Sequence, residues 1–78
     1  MRQLRLTVDR MLKMQEKTRY WLAKETGLDY STVNKYYHNR VQRYDSYVLA
    51  QMCHALDCEI GDILELAEDG KIKYTIQD

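Results

Sequence analysis

Tyr30, Ser31, Asn34, Lys35 and His38 fall on one side of the segment from Tyr30 to His38 when it is projected as a helix at about 100° per residue, and Val33 and Tyr36 fall on the other. The first group is short, hydrogen-bonding and mildly cationic. Such a face suits base edges and phosphates in a major groove better than a protein core. The chemistry it offers is recognition through hydrogen bonds and charge, without bond making or breaking.

Two helices and a corner must hold that face. Thr18 is placed to cap a helix that runs to about Thr26, its hydroxyl accepting from the free amides of the first turn, with Leu22 and Ala23 facing inward. Ala23 is small where a second helix must cross closely. Gly27 follows the last turn, where a chain leaving a helix needs a positive φ that glycine takes without a Cβ clash. Leu28 supplies an apolar contact at the corner, and Asp29 caps the next helix. The result is a helix-turn-helix, with its second helix presented outward.

At 78 residues the chain is read as a single domain with a thin core, to which dimerisation would add stability. Net charge is zero, but the charges are segregated. Residues 1–44 carry ten Lys/Arg against four acids, a balance of +6, whereas residues 45–78 carry two Lys against eight acids, a balance of −6. The helix-turn-helix lies in the basic half, so a positive face can meet a polyanion while the acidic face points away. No apolar run approaches the roughly 20 residues of a membrane span and the N-terminus is not a secretory signal, which predicts a cytoplasmic protein.

The remaining elements follow from periodicity. A short extended start, Gln3 to Leu6, leads into a first helix from about Thr7 to Glu16 with Val8, Met11, Leu12 and Met14 as its apolar positions. A polar, basic loop spans His38 to Tyr44. Asp45 caps a fourth helix in which Val48, Leu49, Met52, Cys53 and Leu56 recur at helical spacing, until Asp57 and Cys58 break the pattern. A fifth helix is predicted from about Glu59 to Leu66, with Ile60, Ile63 and Leu64 inward and Glu59 and Asp62 near the positive end of its dipole. Asp69-Gly70 signals a turn, and Lys71 to Ile76 alternates with period two as a strand. The fold class is therefore all-α, a five-helix domain with its core over about residues 4–66, in which 71–76 and 3–6 form a small two-stranded pairing of the chain ends, within one protomer or between two.

Other constellations carry less. Cys53, His54 and Cys58 invite a zinc reading with a distant His38, yet adjacent Cys-His on a helix diverge by about 100° and the spacing fits no common zinc motif, so the cysteines are read as reduced thiols and the metal set as none. Tyr36 falls on a buried helix side and Tyr47 near a helix start, so the seven tyrosines and Trp21 read as core and rim, not as a stacking platform for single strands. There is no Ser/His/Asp or Cys/His arrangement, paired-carboxylate cleft or glycine-rich phosphate loop, which predicts a protein that is not an enzyme and takes no cofactor or small-molecule substrate.

With all the elements in order, the chain resembles the phage-repressor and Cro-type helix-turn-helix family, the XRE-like group of small bacterial and phage regulators. The resemblance covers about residues 4–66. It is carried by Arg19-Tyr20-Trp21-Leu22-Ala23-Lys24-Glu25-Thr26-Gly27, by Ser31-Thr32-Val33, and by the run from Leu49 through Ala55-Leu56 to Asp62-Ile63-Leu64. It implies that Tyr30, Ser31 and Lys35, with Asn34, are base-reading, lysine favouring guanine O6/N7 and asparagine suiting adenine. It implies also that Thr18 and Arg19 clamp a phosphate at a helix N-terminus, and that His38, Arg40 and Arg43 contact the backbone after the recognition helix. The chain departs from the family at His38-Asn39, where members often have Asn-Gly, at Tyr30 and Ser31, where repressors often carry glutamine, and in a longer loop before helix 4.

These readings converge on a sequence-specific regulator of transcription that binds double-stranded DNA as a homodimer, a repressor acting at an operator through the helix from Tyr30 to His38. The reading from a different class is a protein-interaction module, such as an antitoxin or a phage protein that binds a host factor through Trp21, Tyr20 and the acidic half. RNA fits less well, since a helix cannot read the narrow A-form major groove.

Overall fold

A computed structural model describes residues 2–68. In chain order these form strand β1 (Arg2–Leu6), helices α1 (Val8–Met14), α2 (Arg19–Thr26), α3 (Tyr30–Tyr37) and α4 (Ser46–Leu56), a single 3₁₀ turn (Ile60–Asp62) and strand β2 (Leu64–Glu68). The described part is thus mostly helical with a two-stranded antiparallel sheet, β1 against β2, in the register Arg2 with Glu68, Leu4 with Leu66 and Leu6 with Leu64.

Helix signals in the sequence locate α2 and α4 well. Thr18 has extended backbone and its hydroxyl accepts from Trp21 N–H at 3.0 Å, while Gly27 ends α2 at φ 78°. Asp45 caps α4, accepting from Tyr47 N–H at 2.8 Å, and Asp57 ends it in the left-handed region at φ 51°. Gln15 reaches across from the end of α1 and donates to the Leu56 carbonyl at 2.8 Å, satisfying one of the last acceptors of α4. Asp29 precedes α3 with cap-like backbone, but its side chain makes no capping bond. Helix α1 is shorter than expected, and Met14 at its end is exposed instead of apolar core.

The expected fifth helix is replaced. Glu59 and Asp62 do form a capping box, Asp62 accepting from Glu59 N–H at 2.9 Å, but it closes only one 3₁₀ turn. Gly61 is a poor helix residue, and Leu64-Glu65-Leu66 alternates apolar and charged, a short period-two pattern hidden inside the helical one. Pairing decides between the two readings, because β1 needs a partner and β2 supplies it. The chain ends therefore pair as expected in kind, but the partner of β1 is β2, immediately after the 3₁₀ turn. The strand expected over 71–76 lies outside the described residues.

The core takes residues from β1, from all four helices and from the residue that joins the 3₁₀ turn to β2. Leu6 of β1, Val8, Met11 and Leu12 of α1, Leu22 and Ala23 of α2, Val33 and Tyr36 of α3, Val48, Met52 and Leu56 of α4, and Ile63 before β2 are all buried. Among the described residues, Thr7 is the buried polar one, and it joins strand to helix. Its N–H donates to the Ile63 carbonyl and its hydroxyl to the Asp62 carbonyl, each at 2.8 Å, so its desolvation is compensated. No helix among the described residues is long and apolar enough to cross a membrane.

Candidate nucleic-acid interface

The corner between α2 and α3 sets the direction in which α3 faces. Gly27 N–H donates to the Ala23 carbonyl at 2.9 Å, and Thr26 Oγ1 donates back to the Leu22 carbonyl at 2.7 Å while accepting from Leu28 N–H at 3.2 Å. With Val33 and Tyr36 buried against the body, the opposite side of α3 must face outward. Tyr36 is also fixed at its polar end, its hydroxyl accepting from Asp45 N–H at 2.9 Å, which ties α3 to the start of α4.

Tyr30, Ser31 and Lys35 are all exposed, Tyr30 by 46%. They share one side of α3, as the sequence predicted, with no hydrogen bond or ion pair to another described side chain. Their donors and acceptors are free for a partner.

Asn34 differs. It is half-buried, and its Oδ1 accepts from Arg19 Nη1 at 2.5 Å. The same Nη1 donates to His38 Nε2 at 3.1 Å, and the guanidinium lies over the Tyr37 ring with its carbon 4.6 Å from the centroid. Arginine can only donate, so His38 Nε2 must be the unprotonated nitrogen in this arrangement. The Tyr37 and His38 rings pack edge to face at 5.0 Å. Arg19, the first residue of α2, is therefore held against the stripe 34, 37 and 38 of α3. Sequence reasoning placed Arg19, Asn34 and His38 in the interface but did not anticipate this cluster; the signal available was the helical spacing of Asn34 and His38 opposite a cation.

Thr18 is exposed but spends its hydroxyl on the cap of α2, so its contribution to an anion would come through the free amides of the first turn. His38, Arg40 and Arg43 are exposed on the loop after α3.

Sequence reasoning missed the role of Asn39. It stands in the left-handed region at φ 60°, ending α3 where the family often has glycine. Its side chain turns back on β1: Leu6 N–H donates to Asn39 Oδ1 at 2.7 Å, and Asn39 Nδ2 donates to the Leu6 carbonyl at 2.9 Å. The amide thus takes the place of one residue of a third strand. Glycine would satisfy the backbone but could not make this link between the exit of α3 and the sheet.

Away from this face, Cys53 and Cys58 are free, half-buried thiols at the end of α4. Burial pushes both upward, Cys58 to about 11, where the neighbouring Cys53 adds to the effect. A model of the Cro/C1-type helix-turn-helix DNA-binding domain matches residues 7–69. No curated protein and no solved structure matches the chain.

Proposed function

The chain belongs to the Cro/C1-type helix-turn-helix DNA-binding domain family, and from that membership we propose that it is a sequence-specific regulator of transcription, a repressor that occupies an operator in double-stranded DNA. The observation that carries this reading is the outward side of α3, where Tyr30, Ser31 and Lys35 stand exposed and unpaired beside a rigid corner. In this reading α3 enters the major groove. Tyr30, Ser31 and Lys35 read base edges, Lys35 through guanine O6/N7. Asn34 takes part through Arg19, whose guanidinium it aligns. Thr18, Arg19, His38, Arg40 and Arg43 hold the sugar-phosphate backbone on either side, which fixes the docking angle but selects no sequence. Steric exclusion of polymerase from the operator is then sufficient for repression, and a two-fold dimer would read half-sites about one helical turn apart.

In vitro selection from random duplexes, followed by binding of the selected site over a range of salt, tests the reading. A defined motif is expected, with affinity falling steeply from low to physiological salt as several phosphates are neutralised. Lys35→Ala should relax preference at one base pair by about 1–3 kcal/mol, whereas Arg40→Ala should weaken all sequences alike and flatten the salt slope. Equal effects of the two variants on every sequence would contradict the division of roles, and absence of duplex affinity even at low salt would remove the function.

A further inference from the structure

A groove of about 440 Å³ runs between β1 and the loop after α3, walled on one side by Gln3, Leu4 and Arg5 and on the other by Asn39, Val41 and Tyr44. The backbone of β1 faces it. Thr7 and Ile63 form a hydrogen-bonded pair, and antiparallel pairs alternate, so Leu6 with Leu64 and Leu4 with Leu66 are pairs whose N–H and C=O groups point away from the partner strand. The Asn39 amide, bonded to both backbone groups of Leu6, confirms the direction. The next outward N–H, that of Leu4, is therefore directed to the groove side of the strand.

Arg5 is the charged residue of the groove's described lining, and none of the described lining residues is a carboxylate. Arg5 is exposed, and Glu65, the acid opposite it across the sheet, is engaged by Arg10 at 3.5 Å. Arg40 and Arg43 stand exposed on the loop that forms the far wall. An added peptide strand fits this edge poorly, because Asn39 already occupies the Leu6 position and only Leu4 and Arg2 remain outward on β1.

We propose that this groove is a second site for the DNA backbone, in which Arg5, Gln3 and the Leu4 N–H hold a phosphate beyond those reached by Arg40 and Arg43. The inference rests on the duplex-binding reading above and extends its footprint from the helix-turn-helix to the N-terminal strand. Asn39 makes the extension rigid, since it fixes β1 to the residue at which α3 ends.

The test compares the full chain with Arg5→Ala and Gln3→Ala in duplex-binding titrations across salt concentrations. Lys13→Ala serves as the control, removing a charge of the same sign from an exposed position on α1 outside the groove, and thermal melts verify folding. Arg5→Ala should weaken binding to every duplex by about two- to tenfold and make the salt slope shallower by about one unit, with a smaller uniform loss for Gln3→Ala. Lys13→Ala should leave the slope as it is. An unchanged slope in Arg5→Ala, or an equal change in Lys13→Ala, overturns the groove while leaving the helix-turn-helix reading intact. A wild-type chain without duplex affinity removes both. If Arg5→Ala instead alters sedimentation without altering the slope, the groove seats a second copy of the chain and the proposal falls.

Discussion

Replacing Asn39 by glycine separates two requirements that meet at one residue. Glycine meets the first, a left-handed backbone at φ 60°, and deletes the second, the two bonds to Leu6 at 2.7 and 2.9 Å. Each partly buried hydrogen bond is worth about 0.5–1.5 kcal/mol net, so their loss costs about 1–3 kcal/mol. Relief of the left-handed strain returns less than about 1 kcal/mol, because asparagine tolerates that region better than most residues. Asn39→Gly should therefore destabilise the domain by about 1–2 kcal/mol, lowering the melting temperature by roughly 5–15 °C for a chain of this size. Asn39→Ala should cost more, since it loses the bonds and keeps the full strain. Asn39→Asp is the discriminating variant: nearly isosteric, it retains the acceptor for Leu6 N–H but sets a carboxylate oxygen against the Leu6 carbonyl, and should be at least as harmful as glycine. Thermal and urea melts give the stabilities, and hydrogen exchange at the Leu6 amide reports the bond directly. If Asn39→Gly equals or exceeds the wild type in stability while the Leu6 amide stays protected, the strand-mimic account is wrong and asparagine is present for its backbone conformation alone.

Gly27→Val should lower the melting temperature through backbone strain of at least about 1–2 kcal/mol, because Gly27 has φ 78° while a Cβ there would meet nothing within 4 Å; an unchanged melt would locate the corner elsewhere. Arg19→Lys keeps the charge but loses the planar fork, so operator affinity should fall by about tenfold, and Asn34→Ala should add little in that background. Additive losses in the double-mutant cycle would show that the two side chains act independently. Cys58, pushed up to about 11, should alkylate slowly below pH 9 and faster as pH rises towards that value. The same shift makes folding stability decline as the pH climbs from about 9, where the unfolded thiol ionises first, through about 11. An alkylation rate equal to that of a free thiol at pH 8 would refute the burial of this group.

Much of the scaffold was legible because its signals are local. A capping hydroxyl at Thr18, a glycine at 27, a capping carboxylate at Asp45 and helical spacing in α4 each act within a turn or two of the chain, and each is realised. The segment after Asp57 was misread because its outcome is not local. Ile60, Ile63 and Leu64 are spaced as on a helix, yet Gly61 weakens that option and the open edge of β1, some sixty residues earlier, stabilises an extended Leu64–Glu68 instead. The outward face of α3 was legible from the two buried positions Val33 and Tyr36 alone, since they leave only one side to present. The pairing of Arg19 with Asn34 and His38 and the reach of Asn39 to Leu6 were not, because both depend on where two elements come to lie against each other. Asn39 was noticed as a departure from glycine, but sequence supplies no distance to the strand that gives it a use.

The two ends of α3 are secured by different means, and on the proposed reading the difference bears on how such a domain can change its target. At the N-terminal end the corner is set by backbone conformation at Gly27 and by Thr26, which bonds on both sides of the turn. At the C-terminal end a side chain, Asn39, ties the exit of α3 to β1, and Tyr36 ties the helix to the start of α4 from below. None of these devices uses Tyr30, Ser31 or Lys35. Their substitution therefore costs little stability, since exposed residues outside such features usually change folding by no more than about 0.5 kcal/mol, while base preference can shift by about 1–3 kcal/mol per contact. Asn34 is the exception, because altering it releases Arg19 and changes the presentation of a neighbour along with its own. A thin core gives a chain of this size little stability to lose, so on the proposed reading, confining base contacts to positions that the fold does not use lets the target sequence vary without threatening the domain.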